Sequence, residues 1–83
     1  MALSTQTPAL PGAVAGMLLL SVGPALWRVV DQAGRAVGHV QVDEEAGGRR
    51  YIARRFRVTE RAFRDVGAFW TLQEAIECLR LSR

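Results

Sequence analysis

A chain of 83 residues is one small domain, and at that length folding buries only roughly 60% of the unfolded surface, which leaves little room for a substrate cleft behind the core. An apolar share of 49% is ordinary for a globular protein and excludes a fully disordered one. The net charge is +3, and all eleven basic residues are arginine, a pattern that GC-rich codon usage also produces. Each positive charge is therefore a planar fork suited to phosphate, carboxylate or an aromatic face.

Residues 1–24 carry no charged side chain. The apolar stretch 13–22 is ten residues long, short of the roughly 20 needed to span a bilayer, so no membrane partner is expected. No Lys or Arg precedes Arg28, and no adequate apolar core precedes the cleavage-like Ala13-Val14-Ala15, which argues against a secretory signal. Pro8, Pro11 and Gly12 suggest a flexible leader over 1–24, from which 17–22 packs onto the domain or pairs as an extra strand. Alternatively, Met17 is the natural start.

The domain is expected over 25–83. Residues 25–31 (ALWRVVD) are rich in β-branched and aromatic side chains, and Gly34 marks the turn that follows. Residues 36–43 alternate, with Gly38, Val40 and Val42 on one face, and 44–48 end in a Gly-Gly turn. A third strand is predicted over 49–58 and a fourth, shorter one over 62–66. Thr71-Leu72-Gln73-Glu74 matches a capping box, which predicts a helix start. Leu72, Ala75, Ile76 and Leu79 then form one apolar stripe, with Gln73, Glu74, Glu77 and Arg80 on the wet side. The expected fold is α+β: a small antiparallel sheet of three to four strands with one C-terminal helix packed on one face, in two layers.

Charge is concentrated on one element. Between Arg49 and Arg64 there are seven arginines and a single acid, Glu60, while acids collect at Asp43-Glu44-Glu45 and at Glu74 and Glu77. Alternation puts Tyr51, Ala53, Arg55 and Arg57 on one face of the third strand and Ile52, Arg54, Phe56 and Val58 on the other. Whichever face the helix covers, an aromatic is left among arginines on the open side. Arg49, Arg50, Arg54, Arg55, Arg57 and Arg64 are the candidate nucleic-acid contacts, as neutralisers of phosphate. The same mixture of aromatics and arginine suits a protein partner or a homodimer through this face.

No catalytic constellation is visible. His39, the only histidine, has no array of metal ligands and no positioned partner for acid–base work, and is expected as a partly exposed strand residue. The acids at 43–45 are expected to be solvated, and Gly47-Gly48 lacks the Lys-Ser/Thr and helix start of a phosphate loop. Trp27 and Trp70 are expected as core anchors. Cys78 allows no intramolecular disulfide, which fits a cytoplasmic location, and is expected to pack as a small apolar group. No cofactor and no small-molecule substrate are expected.

Trp27-Arg28-Val29, the turn glycine Gly34, Tyr51-Ile52-Ala53-Arg54, Gly67-Ala68-Phe69, Thr71 and Glu74-Ala75 together resemble a known layout. It is similar to the three-stranded, one-helix DNA-binding domains of tyrosine recombinases and, more distantly, to the plant AP2 domain. Trp70 stands between the Phe and the Thr of that pattern. The chain also resembles a family of small actinobacterial domains that share a W-R-V start, a glycine turn and an ending like F-W-x-x-x-E-A-I-E-C-L-R, a resemblance that brings no activity with it. The recombinase resemblance implies a sheet that lies on DNA. The expectation is a non-catalytic module that binds duplex DNA through an arginine-rich sheet face, with protein–protein interaction or homodimerisation as the alternative.

Overall fold

The computed structural model of the chain describes residues 10–81. Strands β1 (Ala13–Val14), β2 (Met17–Gly23), β3 (Leu26–Val30), β4 (Ala36–Glu45), β5 (Gly48–Arg57) and β6 (Ala62–Phe69) are followed by helix α1 (Leu72–Leu81). They form one six-stranded sheet in chain order, β1-β2-β3-β4-β5-β6, antiparallel throughout. The expected α+β arrangement with a C-terminal helix on an antiparallel sheet is present. The expected three to four strands are corrected to six: β1 and β2 come from the segment read as a leader, because Met17 and Leu19 alternate into the core and β2 pairs along β3. Residues 1–9 of that segment lie outside the described residues.

Alternation explains the core. Met17 and Leu19 (β2), Trp27 and Val29 (β3), Val40 and Val42 (β4) and Ala53 (β5) all point to one face and form one buried cluster with Ala75, Ile76 and Leu79 of α1. The helix lies across β4, β5 and β6, while Leu10 and Val14 pack against the core at the β1 end. Gly38 marks the closest approach. A Cβ there would stand 2.3 Å from the Arg54 carbonyl oxygen and 2.8 Å from Leu79 Cδ2, so only glycine lets the helix settle on β4.

Local signals set the ends of elements. The β3–β4 turn is held by Asp31, whose Oδ1 accepts from the amides of Ala33 and Arg35, both at 2.9 Å, while Gly34 adopts a φ of 85°. At the helix start the Glu74 amide donates to Thr71 Oγ1 (3.2 Å), and the Thr71 hydroxyl donates to the Glu74 carboxylate (3.0 Å). A helix of ten residues is marginal alone, so its buried stripe holds it in place. No helix among the described residues is long and apolar enough to cross a membrane.

Candidate functional site

The helix covers one side of the sheet, and the other side is open. Because Tyr51 and Ala53 turn toward the helix, Ile52, Arg54 and Phe56 face outward. Cross-strand register then lines up Arg28 (β3), His39 (β4), Arg54 (β5) and Asp65 (β6) in one row. Phe56 and Phe63 form the next pair on β5 and β6.

A bulge makes this row possible. Pairing between β5 and β6 shifts by one residue between Ala53 and Arg54, so that Ala53 faces Gly67 while Arg54 faces Asp65. Val66 is the additional residue, and it packs half-buried against the core. Without that shift, Arg54 would oppose Val66, and Asp65 and Phe63 would turn to the helix side. With it, both reach the open face.

The rings there form a cluster. His39 stacks on Phe63 with centroids 4.3 Å apart and planes 17° from parallel, and Phe56 meets Phe63 edge-on at 5.2 Å. Phe56 and Phe63 remain 46% and 43% exposed, unusually open for rings with so many neighbours. Arg54 is aimed by Asp65, whose Oδ1 accepts from its Nε at 2.8 Å. Arg28 makes no hydrogen bond or ion pair with the described residues. Partial burial, reinforced by the Arg28 guanidinium and that of Arg54, holds the His39 pKa below the ordinary histidine value, which favours the neutral ring. A hollow of about 340 Å³ is lined by Arg28, Ala36, Gly38, His39, Phe56 and Phe63, near the lower end of the roughly 300–1,000 Å³ range of small-ligand sites.

The six arginines expected as contacts do not share this face. Arg54 lies at its centre and Arg50 toward its end, where the Arg50 guanidinium sits 4.1 Å from the centre of the Trp70 ring and donates to the Ala68 carbonyl. Arg49 is paired across the β4–β5 hairpin with Glu44 at 2.7 Å. Arg55 turns to the helix side and donates to the Leu79 carbonyl, one of the acceptors that the last helical turn leaves unmatched. Arg57 is exposed at the end of β5. Arg64 forks onto both Glu60 oxygens, at 2.7 and 3.1 Å, which holds the Glu60 carboxyl below its usual pKa. Three of the seven arginines in the basic segment, Arg49, Arg54 and Arg64, are thus paired with acids brought to them by turns and neighbouring strands.

Arg28, His39 and Phe63 complete the site and were not among the expected contacts. One signal for them was present: a two-residue Ala46-Gly47 connection sets Glu45 opposite Gly48 and, by counting back, His39 opposite Arg54. The two tryptophans part company, with Trp27 5% exposed in the core and Trp70 57% exposed over the β4–β5 turn. Cys78 is half-buried, its thiol 3.9 Å from the Val66 carbonyl.

The chemistry of the face is stacking and cation contact. Among the described residues, no three His, Cys, Asp or Glu side chains gather as a metal site requires, and His39 is surrounded by rings and guanidinium groups. A larger groove of about 660 Å³ beside the helix is lined by Phe69, Thr71, Glu74, Glu77, Cys78 and Leu81. Its charged groups are acids, which repel an anionic ligand. Compared with known proteins, the chain matches no family model, no curated protein and no solved structure.

Proposed function

We propose that this chain is a non-catalytic nucleic-acid-binding module that works through the open face of its sheet. The observation that carries the reading is the ring cluster of half-buried His39 with exposed Phe56 and Phe63, beside the cations Arg28 and Arg54. Rings offer flat surfaces for bases, and guanidinium forks meet phosphates or base edges. Arg50 extends the cationic row, while Arg49, Arg55, Arg57 and Arg64 contribute to the overall positive field rather than to contact. A cytoplasmic location goes with this reading.

Leu18 and Leu20, 49% and 48% exposed at the β2 end of the same face, favour a second reading in which a copy of the chain or another protein covers it. Salt separates the two. Fluorescence anisotropy against labelled random single-stranded and duplex oligonucleotides, at about 50 to 300 mM salt, tests the first. Contacts to two or three phosphates predict a log–log slope of about −1.5 to −2, and the paired reversal Arg28→Glu with Arg54→Glu should abolish binding. A hydrophobic dimer instead shows doubled mass that salt barely moves. Absence of binding to any oligonucleotide at the lowest salt rejects the nucleic-acid reading.

A further inference from the structure

We infer that the nucleic acid this face takes is an unpaired strand, with one base seated in the hollow against the His39–Phe63 stack, in preference to a duplex. The inference rests on the open-face reading above and narrows its ligand.

Width is the first argument. Six strands at a spacing of about 4.8 Å make a face about 24 Å across, and about 19 Å without the two-residue β1. The major groove of B-form DNA is only about 12 Å wide. A sheet this broad cannot lie flat in the groove in the way a three-stranded sheet does.

The rings supply the second argument. In a duplex the faces of the bases are closed by their neighbours, and only edges and phosphates are offered. Phe56 and Phe63 have no donor or acceptor to read an edge with, and both keep nearly half of their surface in water. An unpaired base presents the flat face that such rings can cover. The hollow beside them, about 340 Å³, is bordered on one side by Arg28, so that a base on the rings brings its phosphate to a guanidinium that has no carboxylate of its own among the described residues.

The third argument is the shortage of cations on this face. A duplex binder that relies on phosphates typically neutralises roughly six to ten of them. Here Arg49 and Arg64 are tied to Glu44 and Glu60, and Arg55 to the end of the helix. On the open face only Arg28 is without a partner among the described residues; Arg54 is paired with Asp65, and Arg50 donates to the Ala68 carbonyl beside Trp70, which is too little free charge for a phosphate-driven complex and enough to steer a stacked strand.

The experiment compares four labelled ligands against the full chain at one salt: a ten-nucleotide oligo-dT, the matching oligo-U, a random single strand, and a hairpin duplex. Single strands should bind at least 10-fold tighter than the hairpin, and the dT and U arms show whether the sugar matters. Phe63→Ala should weaken single-strand binding about 10-fold, since one base stack is worth about 1–3 kcal/mol, and leave hairpin binding unchanged. Phe63→Leu keeps the apolar volume and loses the flat ring, so it should show the same loss with the fold intact by circular dichroism. Phe63→Trp should restore binding. Equal or tighter binding of the hairpin, abolished by the Arg28/Arg54 reversal, overturns the inference and leaves the open-face reading standing. Single-strand affinity that Phe63→Leu does not change overturns it as well. If no ligand binds, both fall.

Discussion

The two faces of the sheet are made by the same strands and obey different rules. On the helix side the contacts are closed: Val29, Val40, Ala53, Ala75 and Ile76 have no exposed surface, and Gly38 is the only residue that fits under Leu79. On β4 and β5, directly under the helix, the inward side chains are small or β-branched (Gly38, Val40, Val42, Ala53), while the larger Met17, Leu19 and Trp27 lie on β2 and β3. On the open side, Leu18, Leu20, Phe56 and Phe63 are large and nearly half exposed. Burial of a whole phenylalanine contributes roughly 1.5–3 kcal/mol, so a half-exposed ring forfeits about 1 kcal/mol or more of that. A side chain kept where it contributes so little to folding is better explained by what it meets from outside.

That contrast can be broken or sharpened by substitution. The largest effect is expected on the covered face. Gly38→Ala forces a Cβ into the Arg54 carbonyl and the Leu79 methyl, and should destabilise the domain by roughly 3 kcal/mol, the upper part of the range for overpacked cores. A urea midpoint unchanged from wild type would show that the helix does not sit on β4 as described. Next comes the helix start, where Thr71→Ala removes the acceptor of the Glu74 amide and should cost about 1 kcal/mol in the same titration. On the open face, Phe56→Ala should change stability by only about 1 kcal/mol while weakening oligonucleotide binding. A loss of stability like that of a core substitution would mean that this ring belongs to the fold rather than to a ligand.

The smallest effect is the titration of His39. Burial first, then Arg28 and Arg54, hold its folded-state pKa below the ordinary value of about 6.5, so between the folded-state pKa and about 6.5 the unfolded chain binds the proton and the folded chain does not. Stability is therefore full above this window and declines slightly as pH falls through it. A phosphate brought to the same place reverses the balance by favouring the imidazolium, so binding should strengthen as the pH drops from 7.5 to about 5.5. His39 is the only histidine in the chain, and His39→Gln should flatten both profiles. Binding that weakens at low pH would contradict a phosphate beside this ring.

The parts of the fold that could be read from the sequence are those encoded over a few neighbouring residues. The Thr71–Glu74 cap, the stripe Leu72-Ala75-Ile76-Leu79, and the alternation of Gly38, Val40 and Val42 all appear as expected, because each depends on spacing within one element. The open register with Ile52, Arg54 and Phe56 outward was one of the alternatives that spacing left. Features that depend on which strands meet were hidden. The β6 bulge at Val66 carries no glycine or proline at that position, and strict alternation would have put Phe63 and Asp65 on the same side as Gly67 and Phe69. Seven arginines in sixteen residues read as a basic surface, yet pairing with Glu44, Asp65 and Glu60 depends on turns that bring those acids across. Trp70 looked like core because its size suggests burial. In the fold it follows β6 past the end of the helix-covered area and is capped by Arg50 instead.

The separation of the two indoles has a practical consequence. Trp27 is enclosed by aliphatic side chains and should emit in the blue, beyond the reach of iodide in solution, whereas Trp70 is open to water beneath a guanidinium and should emit further to the red and be quenched. The chain therefore carries its own pair of optical reporters. Loss of the protected blue component follows the core as it melts, and a change in the quenchable red one follows events at the hairpin end of the open face, so folding and occupancy can be watched in one sample without a dye.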